Sequence, residues 1–148
     1  MTLIRITKKF NFEMAHALMG YDGLCKNIHG HSYKLFVTVT GQPLQDDKSP
    51  KNGMVLDFSL LKDIVKKSII EKYDHSLVLN SNMPESLIKP LKENYERIIL
   101  MQSQPTTENI IIEIAKILKS KLPKNVKLFS IRLYETDSSY AEWYASDN

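Results

Sequence analysis

The chain carries a single cysteine, Cys25, so it cannot build an intrachain disulfide framework, and this usage suits a reducing compartment. It has no apolar stretch approaching the roughly 18 residues of a membrane span, and the opening "MTLIRITKKFNFE" lacks an apolar run of signal-peptide length, so a cytoplasmic setting is expected. Charge of one sign is also scarce. The 20 Lys and Arg residues are nearly matched by 17 Asp and Glu, leaving a formal charge of +3, a weak footprint for nucleic acid. Lysines in "LLKDIVKK" and "AKILKSKLPKNVK" fall at the spacing of solvated helix faces and helix C-terminal ends. No repeat of fixed period and no low-complexity tract occurs. The 148 residues are expected to form one domain, 1–148, large enough for a core without staples.

What is present alternates. "KFNFEMAH" places Phe10, Phe12, Met14 and His16 on one side at period two, and "HGHSYKLFVTVT" does the same with His29, His31, Tyr33, Leu35, Val37 and Val39. The loop "ALMGYDGLCKN" joins these strands. "MVLDF" reads as a short strand pairing antiparallel with the preceding one, and Ser59 as the cap of a helix reaching about Tyr73. "NMPESLIKPLKENYERIILMQSQ" reads as a loop with a short helix or strand inside. "QPTTENIIIEIAKILKSKLP" has helical spacing in Ile110, Ile111, Ile114, Ala115, Leu118 and Leu122. "NVKLFSIRLYE" and "YAEWYA" then alternate as two last strands. The expected fold class is α+β: a four-stranded antiparallel sheet with two helices on one face. The outer face of the sheet is not fully polar either: Phe36, Thr38 and Thr40, then Phe129, Ile131 and Leu133, give apolar content on both sides and point to burial in an oligomer.

Four histidines stand out: His16, His29, His31 and His75. His29 and His31, two apart in a strand, share a face with imidazoles roughly 6 to 7 Å apart, within reach of one metal ion. His16, on the inward face of a neighbouring strand, would complete a three-imidazole set suited to Zn²⁺ with one open coordination position. A jelly-roll metal site of the cupin kind needs a nearby glutamate, which "HSYKLFVTV" does not supply before Gln42. Cys25 is open to three readings: a fourth zinc ligand, a core thiol, or a base or nucleophile beside the metal. Asp74, immediately before His75, can fix that imidazole's tautomer. Glu135 ends an otherwise apolar face, where a ligand edge with two adjacent N–H donors would suit it. Thr106, Thr107 and Glu108 at a helix start are accounted for by capping alone.

Taken in order, "FNFEMAH", "CKNIHGHSY", "GMVLDF", "YDHSLVLN", "PTTEN" and "LYETDSS" resemble the motifs of the 6-pyruvoyltetrahydropterin synthase and 6-carboxy-5,6,7,8-tetrahydropterin synthase family, over most of the chain. The resemblance implies the tunnelling fold, in which sheets of several subunits join into an oligomeric barrel, commonly a homohexamer of two trimers, with active sites at subunit interfaces. It implies zinc on His16, His29 and His31, a catalytic Cys25, a relay of Asp74 and His75, and a pterin pocket of Thr107, Glu108 and Glu135, with Glu135 also counted among the catalytic residues. The implied substrate is 7,8-dihydroneopterin triphosphate, a small molecule, and the implied enzyme a zinc-dependent lyase. Three residues between Cys25 and His29 resemble the bacterial, queuosine-pathway branch, which yields 6-carboxy-5,6,7,8-tetrahydropterin and acetaldehyde, more than the pyruvoyl branch. Tyr73 stands where the family usually has leucine, and the stretch Met83 to Gln104 is long for a bacterial member. Two other classes compete: a non-catalytic, zinc-stabilised oligomeric interaction module, and simple zinc hydrolysis.

Overall fold

The computed structural model describes residues 1–148. Its scaffold is a long antiparallel pair, β1 (Ile4–His16) and β2 (His29–Gly41), in unbroken register from Ile4 opposite Gly41 to His16 opposite His29. Strand β3 (Ser76–Asn80) adds parallel to β1, and β4 (Ile98–Met101) parallel to β3; on the other side β5 (Val126–Thr136) pairs antiparallel with β2 and β6 (Ser139–Tyr144) with β5. The six-stranded order is β4-β3-β1-β2-β5-β6.

The expected four antiparallel strands are therefore corrected to six in a mixed sheet. "SLVLN" escapes an alternation test because four of its five residues are buried, as parallel strands covered on both faces tend to be. "MVLDF" is no strand: Val55 and Leu56 are buried and Asp57 caps the next helix, its carboxylate accepting the Ser59 N–H at 2.8 Å. The cap is thus Asp57, and the Ser59 hydroxyl donates to it at 2.7 Å instead of capping the helix itself.

The helical run expected to end near Tyr73 does so in three pieces: α1 (Phe58–Val65), a π-helical turn Lys66–Ile70, and α2 (Glu71–Tyr73). Its buried stripe is Leu61, Val65, Ile69 and Tyr73, one residue in four. Helix α3 (Glu85–Asn94) supplies the crossover that parallel strands β3 and β4 require. Helix α4 (Thr107–Lys121) begins at Thr106, whose hydroxyl accepts the Asn109 N–H, and buries Ile110, Ile111, Ile114, Ala115 and Leu118. The α1–α2 run and α4 meet the inward residues of β1, β2 and β5 in one apolar cluster of 24 residues.

A bulge where Thr38 and Val39 face Ser130 and Leu128 leaves Phe129 unpaired. Of Phe129, Ile131 and Leu133, expected together on the outer face, only Phe129 turns to the helix-free side, where the Arg5 guanidinium stacks 3.9 Å from its ring centroid. Beyond the bulge, Ile131 and Leu133 are buried, so the alternation that carries Glu135 inward survives.

Leu61 is fully buried where α1 meets the sheet. Leu61→Ala is expected to lower unfolding free energy by about 2–5 kcal/mol, measured as a fall in the urea midpoint at unchanged slope.

Candidate metal centre and active site

The β1–β2 register does the main placing. His16 stands directly across from His29, and His31 lies two residues further along β2 on the same face. From β5, Leu133 pairs with Leu35, so Glu135, two residues beyond, arrives on the inward side at the same end of the sheet. One donor atom from each of His16, His29, His31 and Glu135 lies within 4.8 Å of all the others.

Hydrogen bonding settles which nitrogens face inward. His16 Nδ1 lies 2.7 Å from the Pro105 carbonyl and His29 Nδ1 2.7 Å from the Asn27 carbonyl. A carbonyl only accepts, so each Nδ1 carries the proton and each neutral ring presents a lone pair at Nε2. Those two Nε2 atoms are 3.0 Å apart, and Glu135 Oε1 is 3.3 Å from His16 Nε2 and 3.0 Å from His31 Nε2. The His31 contact lacks hydrogen-bond alignment, which leaves its Nε2 buried without a partner.

Lone pairs facing lone pairs and a carboxylate need positive charge between them. A metal ion supplies it to all four at once. Ligands at roughly 2.0–2.1 Å around a tetrahedral Zn²⁺ stand roughly 3.3–3.4 Å apart, close to the short separations here. The donor set therefore fits zinc. Carbonyls on the outer nitrogens are the usual second shell of zinc histidines. The contact with His16 is the largest influence on Glu135 and holds its carboxyl below the usual range, against burial. Burial lowers His31 below its ordinary 6.5, with the neighbouring His16 and His29 adding to the effect and Glu135 opposing it. A carboxylate and a neutral imidazole are the ligand forms.

The remaining expected residues fall in two places. Thr107, at the start of α4, is buried beside Glu135 with its hydroxyl unpartnered; Glu108 is exposed. Cys25 lies in the short 3-10 turn Leu24–Lys26, half-buried, with its carbonyl accepting the Leu18 N–H at 3.0 Å. It is outside the four-donor cluster. Asp74 and His75 form the turn between α2 and β3, with Asp74 Oδ2 3.0 Å from His75 Nδ1. His75 is largely exposed and borders a cavity of about 690 Å³ together with Glu13, Gly30, Leu77 and Tyr95. No hydrogen bond or ion pair links Cys25 to Asp74 or His75 within the chain.

The groups that orient these residues leave little trace in the sequence. The Pro105 and Asn27 carbonyls are backbone and carry no side-chain signature. Gln104 ties the cysteine loop down, its Nε2 donating to the Met19 carbonyl at 2.5 Å and its Oε1 accepting the Met19 N–H at 3.2 Å. Arg97 clamps the end of α2 through three carbonyls.

Fold and donor set define a zinc protein of the tunnelling-fold class. Residues 5–146 match the 6-pyruvoyl tetrahydropterin synthase family, and the chain belongs to it. Among curated relatives it is 38% identical over 144 residues to the 6-carboxy-5,6,7,8-tetrahydropterin synthase of Haemophilus influenzae, covering 95% of this chain and 99% of that one. The enzyme of the same name from Rickettsia typhi is 35% identical over 144 residues, with the same coverage of 95% and 99%. Among solved structures, an uncharacterized protein from Wolinella succinogenes superposes with a TM-score of 0.82 at 23% identity, covering 98% of this chain and 99% of that one. The Caenorhabditis elegans 6-pyruvoyl tetrahydropterin synthase gives 0.70 at 23% identity, covering 98% and 97%. These two share the fold. No helix is long and apolar enough to cross a membrane.

His29→Ala is expected to weaken zinc binding by more than the roughly 10–100-fold typical of an outer-shell change, read by competition with a chromophoric chelator. Because folding lowers the affinity of His31 for a proton, the unfolded chain takes the proton first as pH falls. Stability of the metal-free protein is therefore fully expressed above the ordinary value of 6.5 and declines as pH drops below it. Urea midpoints between about pH 7.5 and about pH 5.5 should show the decline, and His31→Gln should flatten it.

Proposed function

We propose that this protein is a 6-carboxy-5,6,7,8-tetrahydropterin synthase, a cytoplasmic zinc enzyme acting in the route to queuosine and related deazapurines, with residues 1–148 as one synthase domain. The reading rests on one observation: a three-histidine, one-glutamate zinc cluster in a chain that matches bacterial enzymes of that name over 95% of its length. The reaction would take 7,8-dihydroneopterin triphosphate and water to 6-carboxy-5,6,7,8-tetrahydropterin, acetaldehyde and triphosphate.

His16, His29 and His31 would hold the ion. When bound, zinc supplies Lewis acidity to the hydroxyls of the substrate side chain, lowering the cost of negative charge on oxygen. Glu135 sits where it can serve both the metal and the pterin. With substrate present its carboxylate would accept the paired N–H groups of the pterin edge, with Thr107 and Glu108 beside it. Glu135 would then belong to the catalytic machinery as the group that sets the ring against the metal.

Cys25, off the metal, would be the base for one proton of the side chain. His75, its Nδ1–H held by Asp74, would handle the complementary transfer from the opposite side. Because Cys25 makes no hydrogen bond to Asp74 or His75 of its own chain, a second copy would complete the site by bringing its own Asp74–His75 turn to this Cys25. A homohexamer assembled as two trimers is the arrangement proposed, with no nucleic acid partner.

Incubating the zinc-loaded protein with dihydroneopterin triphosphate should yield the carboxypterin and one acetaldehyde per turnover. A pyruvoyl product without acetaldehyde would transfer the protein to the other branch of the family, and no turnover by the metal-replete oligomer would remove the enzyme reading. Cys25→Ala should keep its zinc and lose about 10²–10⁴ in kcat. Zinc loss on that substitution would make the thiol a ligand.

A further inference from the structure

His75 has a backbone φ of +59°, alone among the non-glycine residues in the left-handed region. A histidine stays there only when its surroundings hold it. Part of the hold comes from β1. The His75 N–H donates to the Glu13 carbonyl at 2.6 Å, and the Glu13 N–H donates to Asp74 Oδ1 at 2.8 Å.

The rest comes from Arg97, at the mouth of β4. Its Nε donates to the Asp74 carbonyl at 2.9 Å, and its Nη2 to the carbonyls of Glu71 at 2.5 Å and Lys72 at 3.1 Å. These carbonyls close α2, where helix acceptors run out of intrahelical donors and negative charge accumulates. The planar fork of a guanidinium can meet several at once; an ammonium on a flexible stem cannot hold the same geometry. Arg97 is itself fixed, because its carbonyl accepts the Leu77 N–H at 2.9 Å in the β3–β4 ladder. Its charge further favours the ionised form of Asp74, behind the larger effect of the Glu13 hydrogen bond.

We infer that Arg97 is a positioning residue: by clamping the carbonyls of Glu71, Lys72 and Asp74 it fixes the turn that keeps the His75 Nδ1–H on Asp74 and presents Nε2 outward. This assigns a role to the long segment between β3 and β4, which delivers Arg97 to the turn. The inference rests on the reading of His75 as a proton-transfer group, but its structural half can be read without turnover.

The test uses the full-length, zinc-loaded protein as wild type, Arg97→Ala, Arg97→Lys and His75→Asn. Nitrogen-15 NMR of the His75 ring reports the tautomer, and kcat, KM, zinc content and thermal midpoint are measured alongside. Wild type should show one tautomer, protonated at Nδ1. Arg97→Ala should show a mixture, with kcat down about 10–10²-fold, KM within a few-fold and zinc unchanged, since small misplacements of a reacting group cost rates of that order. Arg97→Lys, which keeps the charge, should recover only part of both effects and serves as the readout if the alanine variant does not fold. An unaltered tautomer and kcat in either variant, with only a lower melting point, would overturn the inference. Full kcat in His75→Asn would instead remove the proton-transfer reading, and the NMR comparison alone would then decide whether Arg97 positions the ring.

Discussion

Two imidazole nitrogens 3.0 Å apart, each with its other nitrogen's proton already given to a carbonyl, are the constraint on which the rest of this structure turns. Neither neutral ring has a hydrogen to offer the other, and the Glu135 carboxylate beside them adds negative charge. Such an arrangement is stable only around a cation. The unbroken β1–β2 register makes His16 meet His29, and the carbonyls of Asn27 and Pro105 turn both rings. The segment ending in Pro105 belongs to the approach to α4, so the helix packed over the sheet also helps set the direction of a ligand.

A second set of constraints lies at the turn from α2 into β3. There Asp74, His75, Glu13 and Arg97 are bound together through backbone atoms, and the polar end of a short helix is satisfied by one guanidinium. The two sets share β1, through His16 in the first and Glu13 in the second, but the first is completed by β2 and β5 and the second by the α2–β3 turn and by Arg97 at the entrance to β4. Metal binding and placement of His75 can therefore be altered separately. A residue holding the turn should change turnover without changing metal content, which a shared site would not permit.

Much of the metal centre was legible in the sequence because period-two alternation is a direct statement about faces. His29 and His31 follow from "HGH" in a strand, and counting along "LFSIRLYE" puts Glu135 at the end of an apolar face, though as a pterin anchor and not as a fourth metal donor. The count holds from Ile131 onward and fails at Phe129, since nothing in the residue pattern marks where a ladder slips. The missing strands had a different cause. Residues 76–80 are buried on both faces and residues 98–101 number only four, so neither offers an alternation to detect. Asp57 and Ser59 are both good cap residues two positions apart, and only geometry separates them. Arg97 could not be found at all: its partners are carbonyls more than twenty residues away, which side-chain chemistry does not encode.

Residue type and spacing leave Cys25 open among ligand, core thiol and base, and the fold places it half-buried in a loop turn outside the donor cluster. X-ray absorption at the zinc edge of the stoichiometrically loaded protein tests the ligand set most directly. The spectrum should show one ion per chain in a shell of nitrogen and oxygen at roughly 2.0–2.1 Å with imidazole outer-shell scattering; a sulfur at about 2.3 Å, or no zinc retained, would refute a centre built on His16, His29, His31 and Glu135.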